Sequence, residues 1–257
     1  MKLSIITCTW NSEPFVADSI ASVSAQEYPH VERIFVDGGS TDGTLERLRA
    51  VPGEVRVLEG VRGGIARAMN EGVRVATGDV IAHLHSDDIY SGPKVLSLVV
   101  ERMRGSKAEW LYGRCRSLID GHLADNDFDT VPYSWRALVR RNLVPHPATF
   151  VRRDAFLEVG GFDPSWRYAM DYDMWLRLGR RGDPVQVRDY LAAFRFHPGS
   201  LSTRNAWGAH REDLRVRLEH AGRNPVALAE HLLRFGVRSW RMLRRPPPYS
   251  EGTVGRT

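Results

Sequence analysis

Three short polar segments in the amino-terminal part of the chain each follow a run of apolar and β-branched residues. They span residues 7–11, 37–42 and 85–88. Carboxyl ends of parallel strands meet at one edge of an open sheet, and ligands bind beyond that edge. Carboxylates there can hold a hard divalent cation that substrate phosphates complete. We therefore expect Asp87 and Asp88 to lie at a metal–diphosphate site, although adjacent acidic residues in a turn can also simply cap backbone groups.

Carboxyl groups elsewhere are also candidates for the chemistry. Asp37, at the end of a second strand, can accept hydrogen bonds from a nucleotide base. Asp171 and Asp173 lie in the first turn of an expected helix, where the helix dipole favours negative charge. That placement explains one of the two, and we expect Asp173 to be the structural residue. Asp171 would then face the sheet edge and take the proton of an attacking hydroxyl as general base.

Two nucleotide-binding motifs are missing from the places where they would act. No G-x-G-x-x-G follows the first strand, and the chain has no G-x-x-x-x-G-K-[ST] segment. This disfavours an ordinary dehydrogenase or P-loop enzyme. A sugar nucleotidyltransferase usually needs a glycine-rich, arginine-containing loop after its first strand, which residues 9–13 do not supply. Sugar nucleotide synthesis by such an enzyme nevertheless stays open as an alternative function, as does non-catalytic binding of a nucleotide sugar.

Strands and helices that would position these residues alternate in the first half of the sequence. Apolar β-branched runs alternate with segments whose apolar residues recur at helical spacing. The expected strands are 3–9, 33–36, 55–58 and 79–85, with helices from Asn11, from Thr44 and over 63–76. This order predicts an α/β fold with a mixed, mainly parallel sheet.

The second half of the sequence is less regular. Short strands are expected at 109–112 and 148–151, and helices from Pro93 and at 133–141, 154–159 and 171–181. Two C-terminal helices, 207–221 and 225–243, precede a proline-rich polar end that we expect to be disordered.

The net charge of +5 on this 257-residue chain is concentrated at its carboxyl end. Residues 204–257 hold 11 arginines against 5 acidic residues, so the rest of the chain is close to neutral. Arginines alternate with apolar residues over 231–245, which suits an anionic membrane surface better than nucleic acid. The alternative is a helix that packs on the catalytic domain and leaves its arginines in water.

The composition indicates a folded protein of a reducing compartment. The chain has 42% hydrophobic residues, enough for a sizeable core, and two cysteines, Cys8 and Cys115. No apolar stretch approaches the roughly 20 residues that span a bilayer, and the first residues lack the pattern of a secretory signal peptide. We expect a cytoplasmic protein whose basic tail is its candidate contact with the cytoplasmic face of the membrane.

Eight motifs together resemble the family 2 glycosyltransferases of the GT-A fold, particularly bacterial enzymes that make polysaccharides and lipid-linked glycans. In chain order the motifs are SIIT with Asn11, VDGGSTDGT, GIARAMNEG, ATGD leading to SDD, HPATF, GGFD, MDYD with Arg177, and RFHPGS. The resemblance covers residues 1–203. It implies a Rossmann-like nucleotide-sugar-binding half (1–90), an acceptor-binding half (91–203) and a basic helical tail (204–257).

The resemblance also implies an activity: inverting transfer of a sugar from a nucleoside diphosphate sugar, UDP-sugar first, to a glycan or lipid-linked acceptor. The Q-x-x-R-W pattern of processive polymerases is absent, which favours addition of a single sugar. Asp171 would be the catalytic base, and Asp87 with His197 would hold Mg²⁺ or Mn²⁺. His197 can also be read as a plain loop histidine ahead of Pro198. The residues assigned by position to the nucleotide sugar are Thr7, Asn11, Asp37, Gly64, Arg67, Asn70, Ser86, Asp87 and Asp88.

Three positions depart from the family's pattern. His85 stands where many relatives have Asp or Asn, and with His83 and Asp87 it would share one face of an extended strand, so a histidine-rich metal site is conceivable. Met170 replaces the acidic neighbour that often precedes the base. Arg67 replaces an aspartate, and a cation there could meet a phosphate.

Overall fold

The computed structural model describes residues 1–125, 131–200, 205–222 and 225–244. Its strands are β1 (Leu3–Thr9), β2 (Val31–Asp37), β3 (Val55–Leu58), β4 (Val80–His83), β5 (Ile89–Tyr90), β6 (Trp110–Ile119), β7 (His122–Ala124), β8 (Thr149–Arg152) and β9 (Val185–Phe196). Its helices are α1 (Glu13–Ser24), α2 (Thr44–Arg49), α3 (Ile65–Val75), α4 (Val95–Arg104), α5 (Trp135–Arg140), α6 (Arg153–Glu158), α7 (Met170–Gly179), α8 (Ala206–His220) and α9 (Pro225–Arg244), with a 3₁₀ turn at His146–Ala148.

The nine strands form one mixed sheet in the order β3-β2-β1-β4-β8-β6-β9-β5, and β7 pairs with β6. Strands β1 to β4 are parallel to one another, β8 is antiparallel to both β4 and β6, and β9 runs parallel to β6. The carboxyl ends of β1, β2 and β4 therefore lie at one edge, where the polar segments are. The predicted α/β class with a mixed, mainly parallel first half is confirmed.

Apolar cores cover both faces of the sheet. One core joins α3, α5, α6 and α7 to the sheet, and Trp110 of β6 stacks on Trp175 of α7 with ring centroids 6.0 Å apart. The other packs α4 and the end of α1 against the opposite face. Side chains of this size bury enough apolar surface to fix α7, and hence its first turn, against the sheet.

A buried glutamate joins the amino-terminal ends of the parallel strands. Glu32 of β2 accepts hydrogen bonds from the Ser4 hydroxyl, the Thr77 amide and hydroxyl, and the Gly78 amide. Burial opposes ionisation, but these bonds outweigh it and lower the pKa of Glu32 to about 2. A Cβ at position 78 would lie 2.5 Å from the Ser4 hydroxyl, so only glycine fits this approach.

The two C-terminal helices pack on the catalytic part of the chain. Glu230 of α9 forms an ion pair with Arg140 of α5 at 3.0 Å, and the ring of Phe235 stacks on His210 of α8 at 4.3 Å. Buried Arg217 of α8 bonds the Arg140 carbonyl. The boundary predicted at residue 203 and the polar end expected after 245 lie outside the described residues. Within the described ranges, no helix has the length and hydropathy needed to cross a bilayer.

Several elements differ from the sequence expectation. Strands β5 and β7 were not predicted, and β6 continues to Ile119 although a strand was expected only over 109–112. The strand expected over 79–85 ends at His83, because the chain turns at once and the Asp88 amide bonds the His85 carbonyl. The twelve-residue strand β9 was not predicted. Its pairing with β6 shifts register near Arg114, and the charged pair Arg188-Asp189 interrupts its apolar alternation.

Candidate active site

Asp37, the last residue of β2, is fully buried and surrounded by hydrogen-bond donors. Its carboxylate accepts from the Thr9 hydroxyl at 2.8 Å, the Ser40 hydroxyl at 2.6 Å, and the amides of Gly39 and Ser40 at 2.8 Å each. Burial alone would raise the pKa of Asp37, but these bonds outweigh it and hold the pKa below its usual value. Asp37 is therefore an anion that fixes the loop following β2. Gly39 has φ of +97°, a conformation that favours glycine.

Asn11 lies against the same loop. The backbone N–H of Asn11 donates to the Ser40 hydroxyl at 2.8 Å, and its side-chain oxygen accepts from the Thr41 backbone N–H at 2.9 Å. The neighbouring Trp10 is 69% exposed, and its ring lies beside Gly38. A wide aromatic surface is thus presented to solvent at the edge that Asp37 and Asn11 form.

Asp87 lies in the turn after β4 and meets the residue predicted to act with it. Its Oδ2 is 2.9 Å from Nε2 of His197, which follows the end of β9. Burial of Asp87 works against ionisation, yet the His197 hydrogen bond and the nearby His85 ring outweigh it and lower the pKa of Asp87. The His197 ring also packs on Phe15 at 4.5 Å between centroids. The structure therefore joins Asp87 and His197, far apart in sequence, in one site.

Asp88 is in the opposite state. It is 1% exposed; its Oδ1 accepts from the Arg195 amide at 3.1 Å, and its Oδ2 has no hydrogen-bond partner among the described residues. Burial and then the charge of Asp87 raise the pKa of Asp88 well above its usual value. The two adjacent carboxyl groups therefore have opposite pKa shifts, and Asp88 takes up a proton at a higher pH than Asp87 does. Ser86, beside them, donates to the Ser12 hydroxyl at 2.9 Å.

Three histidine rings, called the histidine stack below, lie between β4 and α7, with the His85 and His146 rings parallel and the His83 ring tilted. His146 lies 5.0 Å from His85, 5.8 Å from His83 and 5.9 Å from Trp175, centroid to centroid. Burial lowers the pKa of all three histidines, that of His83 to about 3, so the rings are neutral. In the described ranges no three His, Cys, Asp or Glu side chains are arranged to hold a metal ion. The histidine-rich metal site is therefore not supported.

Asp171 occupies the first turn of α7. Its Oδ1 accepts from the Tyr172 amide at 2.6 Å, and its Oδ2 is 3.4 Å from the Asn142 side-chain nitrogen. Burial raises the pKa of Asp171 to about 6. Trp175, one turn further along α7, touches the His146 ring that stacks on His85. The His146 ring thus connects the segment that carries His85 and Asp87 to helix α7, which carries Asp171.

Asp173 differs from Asp171 although it is two residues away on the same helix. It is 5% exposed, forms an ion pair with Arg177 at 2.7 Å, and its Oδ1 lies 2.9 Å from Nε2 of His220 of α8. Burial opposes its charge, but the His220 and Arg177 contacts lower its pKa. These contacts fit the structural role expected for Asp173.

Four further residues were also predicted to bind the nucleotide sugar: Thr7, Gly64, Arg67 and Asn70. Thr7 is 3% exposed inside β1, and Thr9 is the threonine that reaches Asp37. Gly64, with φ of +94°, precedes α3. Arg67 is exposed, and within the described ranges it has no ion pair. Both polar groups of the Asn70 amide bond the backbone of Phe162, at 2.7 and 2.9 Å, so Asn70 is accounted for without a ligand.

Three residues that reasoning from sequence missed lie at these sites. Trp10 had a local signal, an aromatic residue between two polar residues at a strand end. Asn142 and Glu212 had none, because only the folded chain brings Asn142 to Asp171, and Glu212 of α8 to the amides before α7.

The sequence matches the profile of glycosyl transferase family 2 over residues 4–136. An uncharacterised glycosyltransferase of Mycobacterium tuberculosis is 33% identical over 75% of this chain and 74% of its own length. TuaG of Bacillus subtilis, a glycosyltransferase named for teichuronic acid biosynthesis, is 28% identical over 80% of this chain and 83% of its own length.

Solved structures show the same fold. Staphylococcus aureus TarS 1–349 in complex with UDP-GlcNAc superimposes with a TM-score of 0.72 at 18% identity, over 96% of this chain and 77% of that one. The mannosyltransferase PcManGT of Pyrobaculum calidifontis, in complex with GDP-Man and Mn²⁺, gives 0.63 at 16% identity, over 95% of this chain and 81% of that one. The fold is therefore GT-A, and the chain belongs to glycosyl transferase family 2.

Proposed function

We propose that this protein transfers a single sugar, with inversion, from a UDP-sugar to a glycan or lipid-linked acceptor in polysaccharide biosynthesis. One observation carries the proposal: the ionised Asp37 and Asp87 follow neighbouring strand ends, and Asp171, a carboxyl group with a raised pKa, begins the helix whose Trp175 packs on the histidine stack. The first two suit a charged donor, and the third suits proton transfer. TuaG and the UDP-GlcNAc complex of TarS support the acceptor and donor classes.

The donor would bind along the carboxyl ends of β1, β2 and β4. The base would stack on the exposed face of Trp10 and hydrogen-bond near Asn11 and Asp37. The diphosphate would then extend toward Asp87, and exposed Arg67 at the start of α3 would meet its charge.

Asp87 and His197 fit a divalent cation of the kind the family implies. An ionised carboxylate and a histidine nitrogen 2.9 Å apart are a partial ligand set, which suits Mg²⁺ or Mn²⁺ because these ions take their other ligands from water and phosphates. The Mn²⁺ complex of PcManGT supports this choice. When bound, the ion would supply positive charge that stabilises the departing diphosphate.

The residues of the chain would divide the reaction as follows. The acceptor oxygen attacks the anomeric carbon opposite the diphosphate, the bond to the diphosphate oxygen breaks, and its electron pair leaves with UDP. Asp171 receives the hydroxyl proton as the new bond forms. With a pKa of about 6 it is mostly ionised at neutral pH, yet basic enough to accept that proton. Asn142 would orient its Oδ2.

We also propose that α9 binds an anionic membrane surface. Six of its apolar side chains are 44–76% exposed: Val226, Leu232, Leu233, Val237, Trp240 and Leu243. Arg234, Arg241 and Arg244 flank this face, while His231 and Met242 on the other side are buried. An exposed apolar face edged by arginines is typical of interfacial helices, and each near-surface charge contributes about 1 kcal/mol. Because the opposite side of α9 packs on α5 and α8, a packed helix and a membrane-binding helix are compatible proposals.

Thermal shift with UDP, GDP, dTDP and CDP in the presence of Mn²⁺, followed by release of UDP from UDP-sugars, tests the donor. UDP should stabilise the protein most, and one UDP-sugar should be turned over. A preference for GDP would overturn the donor assignment, and binding without release would favour the non-catalytic alternative.

Flotation with vesicles of phosphatidylglycerol and phosphatidylcholine tests the membrane surface. The double variant Leu233→Glu, Trp240→Glu should stay in solution, while Leu157→Glu, which alters an exposed leucine of α6, should float as the unaltered protein does. Equal flotation of both variants would contradict the role of α9, as would equal binding to vesicles of phosphatidylcholine alone.

A further inference from the structure

The chain immediately before α7 is held by a carboxylate from the C-terminal helices. Glu212 of α8 accepts hydrogen bonds from three successive backbone amides: Arg167 at 3.0 Å, Tyr168 at 2.6 Å and Ala169 at 3.1 Å. Ala169 is the residue that caps α7, and Asp171 is two residues further on. Hydrogen bonds to an ionised acceptor are about twice as strong as neutral ones. One side chain therefore fixes the path by which the chain enters this helix.

A second contact fixes the angle of α7 against α8. His220, at the far end of α8, is 2.9 Å from the Asp173 carboxylate. Because Glu212 and His220 lie two turns apart on α8, the two contacts together hold the first turn of α7 in place. The Asp171 side chain has few contacts of its own, one bond to the Tyr172 amide and one long one to Asn142, so its position depends on how the first turn of α7 is held.

We propose that Glu212 is a positioning residue for sugar transfer, and that its carboxylate holds Asp171 where the acceptor hydroxyl must react. This rests on the proposed role of Asp171 as base. It makes α8 part of the catalytic unit rather than of a separable tail. A misplacement of about 1 Å in a reacting group can cost about a hundredfold in rate. Because Glu212 anchors Ala169, two residues before Asp171, we expect its loss to lower the rate.

The pH dependence of the rate distinguishes a positioning role of Glu212 from an electrostatic effect on the pKa of Asp171. Asp213 of α8 contributes to the raised pKa of Asp171, and Asp213 is itself paired with Arg217 at 2.5 Å and Arg238 at 3.8 Å. Asn142 is neutral. If Glu212 acts by position, its loss lowers the maximal rate and leaves the pH of half-maximal rate unchanged. Loss of the Asp213 charge should instead shift that pH downward.

The test compares Glu212→Ala, Glu212→Gln and Glu219→Gln in the full chain. Glu219 is an exposed carboxylate on the same helix, and Glu219→Gln removes the same charge. The readouts are UDP release from the UDP-sugar selected by the donor screen, with Mn²⁺, and hydrogen exchange of the amides of residues 167–169. Glu212→Ala should lower kcat about tenfold or more with an unchanged donor KM, Glu212→Gln less, and Glu219→Gln not at all. Exchange at 167–169 should rise in the same order.

Wild-type kcat in a folded Glu212→Ala protein whose amides exchange faster would overturn the positioning role. A downward shift of the pH profile in Glu212→Gln, with unchanged kcat, would replace it with an electrostatic one. Failure of the proposed function would look different, because Asp171→Asn itself would then turn over like the unaltered protein.

Discussion

Asp37 and Asp171 are proposed to serve the donor side and the acceptor side of the reaction, and the pKa values of their carboxyl groups are shifted in opposite directions. Asp37 is fully buried but receives four hydrogen bonds, which hold its pKa below the usual value. Asp171 is less buried and receives two, one of them long, so burial dominates and raises its pKa to about 6. Hydrogen bonds outweigh burial at Asp37 and do not outweigh it at Asp171, which decides the sign of each shift.

This difference matches the tasks proposed for the two sides. On the donor side a permanent anion organises loops around a charged nucleotide, and Asp87 is kept ionised by His197 for the same purpose. On the acceptor side a carboxyl group must take up a proton, which needs a pKa near the working pH. The two sides can be tested against each other.

The largest expected effect is on the donor side. Asp87→Ala should lower kcat/KM for the UDP-sugar by about a thousandfold, because it removes the anion that holds the cation at the diphosphate, a contribution of several kcal/mol. UDP release with Mn²⁺ measures it. Asp189→Ala, which removes an exposed aspartate from β9, is the control and should behave as the unaltered protein. A loss below tenfold for Asp87→Ala would break the donor-side assignment.

The opposite pKa shifts of Asp37 and Asp171 predict opposite changes in stability when each residue is replaced by asparagine. Asp37→Asn should lower the free energy of unfolding by about 2 kcal/mol, because buried donors lose a charged acceptor. Asp171→Asn should raise it at pH 8, by at most about 3 kcal/mol, because the folded pKa of about 6 makes the charged form unfavourable. That gain should shrink as pH falls below about 6 and vanish near 4.

Urea unfolding followed by tryptophan fluorescence at pH 8 and pH 5 measures both changes. Destabilisation of equal size in the two variants at pH 8 would show that the two carboxyl groups do not differ in the way described.

A smaller effect on donor binding is expected from the loss of Trp10. Trp10→Ala should weaken UDP binding about tenfold, since base–aromatic stacking contributes about 1–3 kcal/mol. Titration calorimetry with UDP and Mn²⁺ measures it. Trp240→Ala, at a tryptophan of α9 that is 53% exposed, is the matched control. Equal affinities for UDP in the two variants would remove Trp10 from the nucleotide site.

The donor side was also the more predictable from sequence. Its strands are short, parallel and followed directly by the polar residues they position, so Asp37 and Asp87 could be named from local pattern alone, while the role of Asn11 came from the family resemblance. His197 needed the family resemblance, because its partner lies 110 residues away. Asn70 was predicted to bind the nucleotide sugar, which stays a prediction, and its amide also bonds the Phe162 backbone, a contact that no spacing reveals.

The acceptor side depends on long-range packing. Asp171 was named from its place in a helix start and from the resemblance, but its raised pKa comes from burial that only the folded protein creates. The strand β9, with its register shift against β6, carries no clean alternation. Glu212 is an ordinary surface-type residue in the sequence, and only the docking of α8 brings it to the amides before α7.

The pH dependence of UDP release, in the unaltered protein and in Asp171→Asn, tests the central claim most directly. The rate should fall as pH drops through about 6, because protonated Asp171 cannot accept the acceptor proton. In folded Asp171→Asn the rate should be at least a hundredfold lower, and it should not fall further as the pH drops through about 6. Near wild-type turnover in the variant, with the acid limb retained, would contradict the assignment of Asp171 as the base.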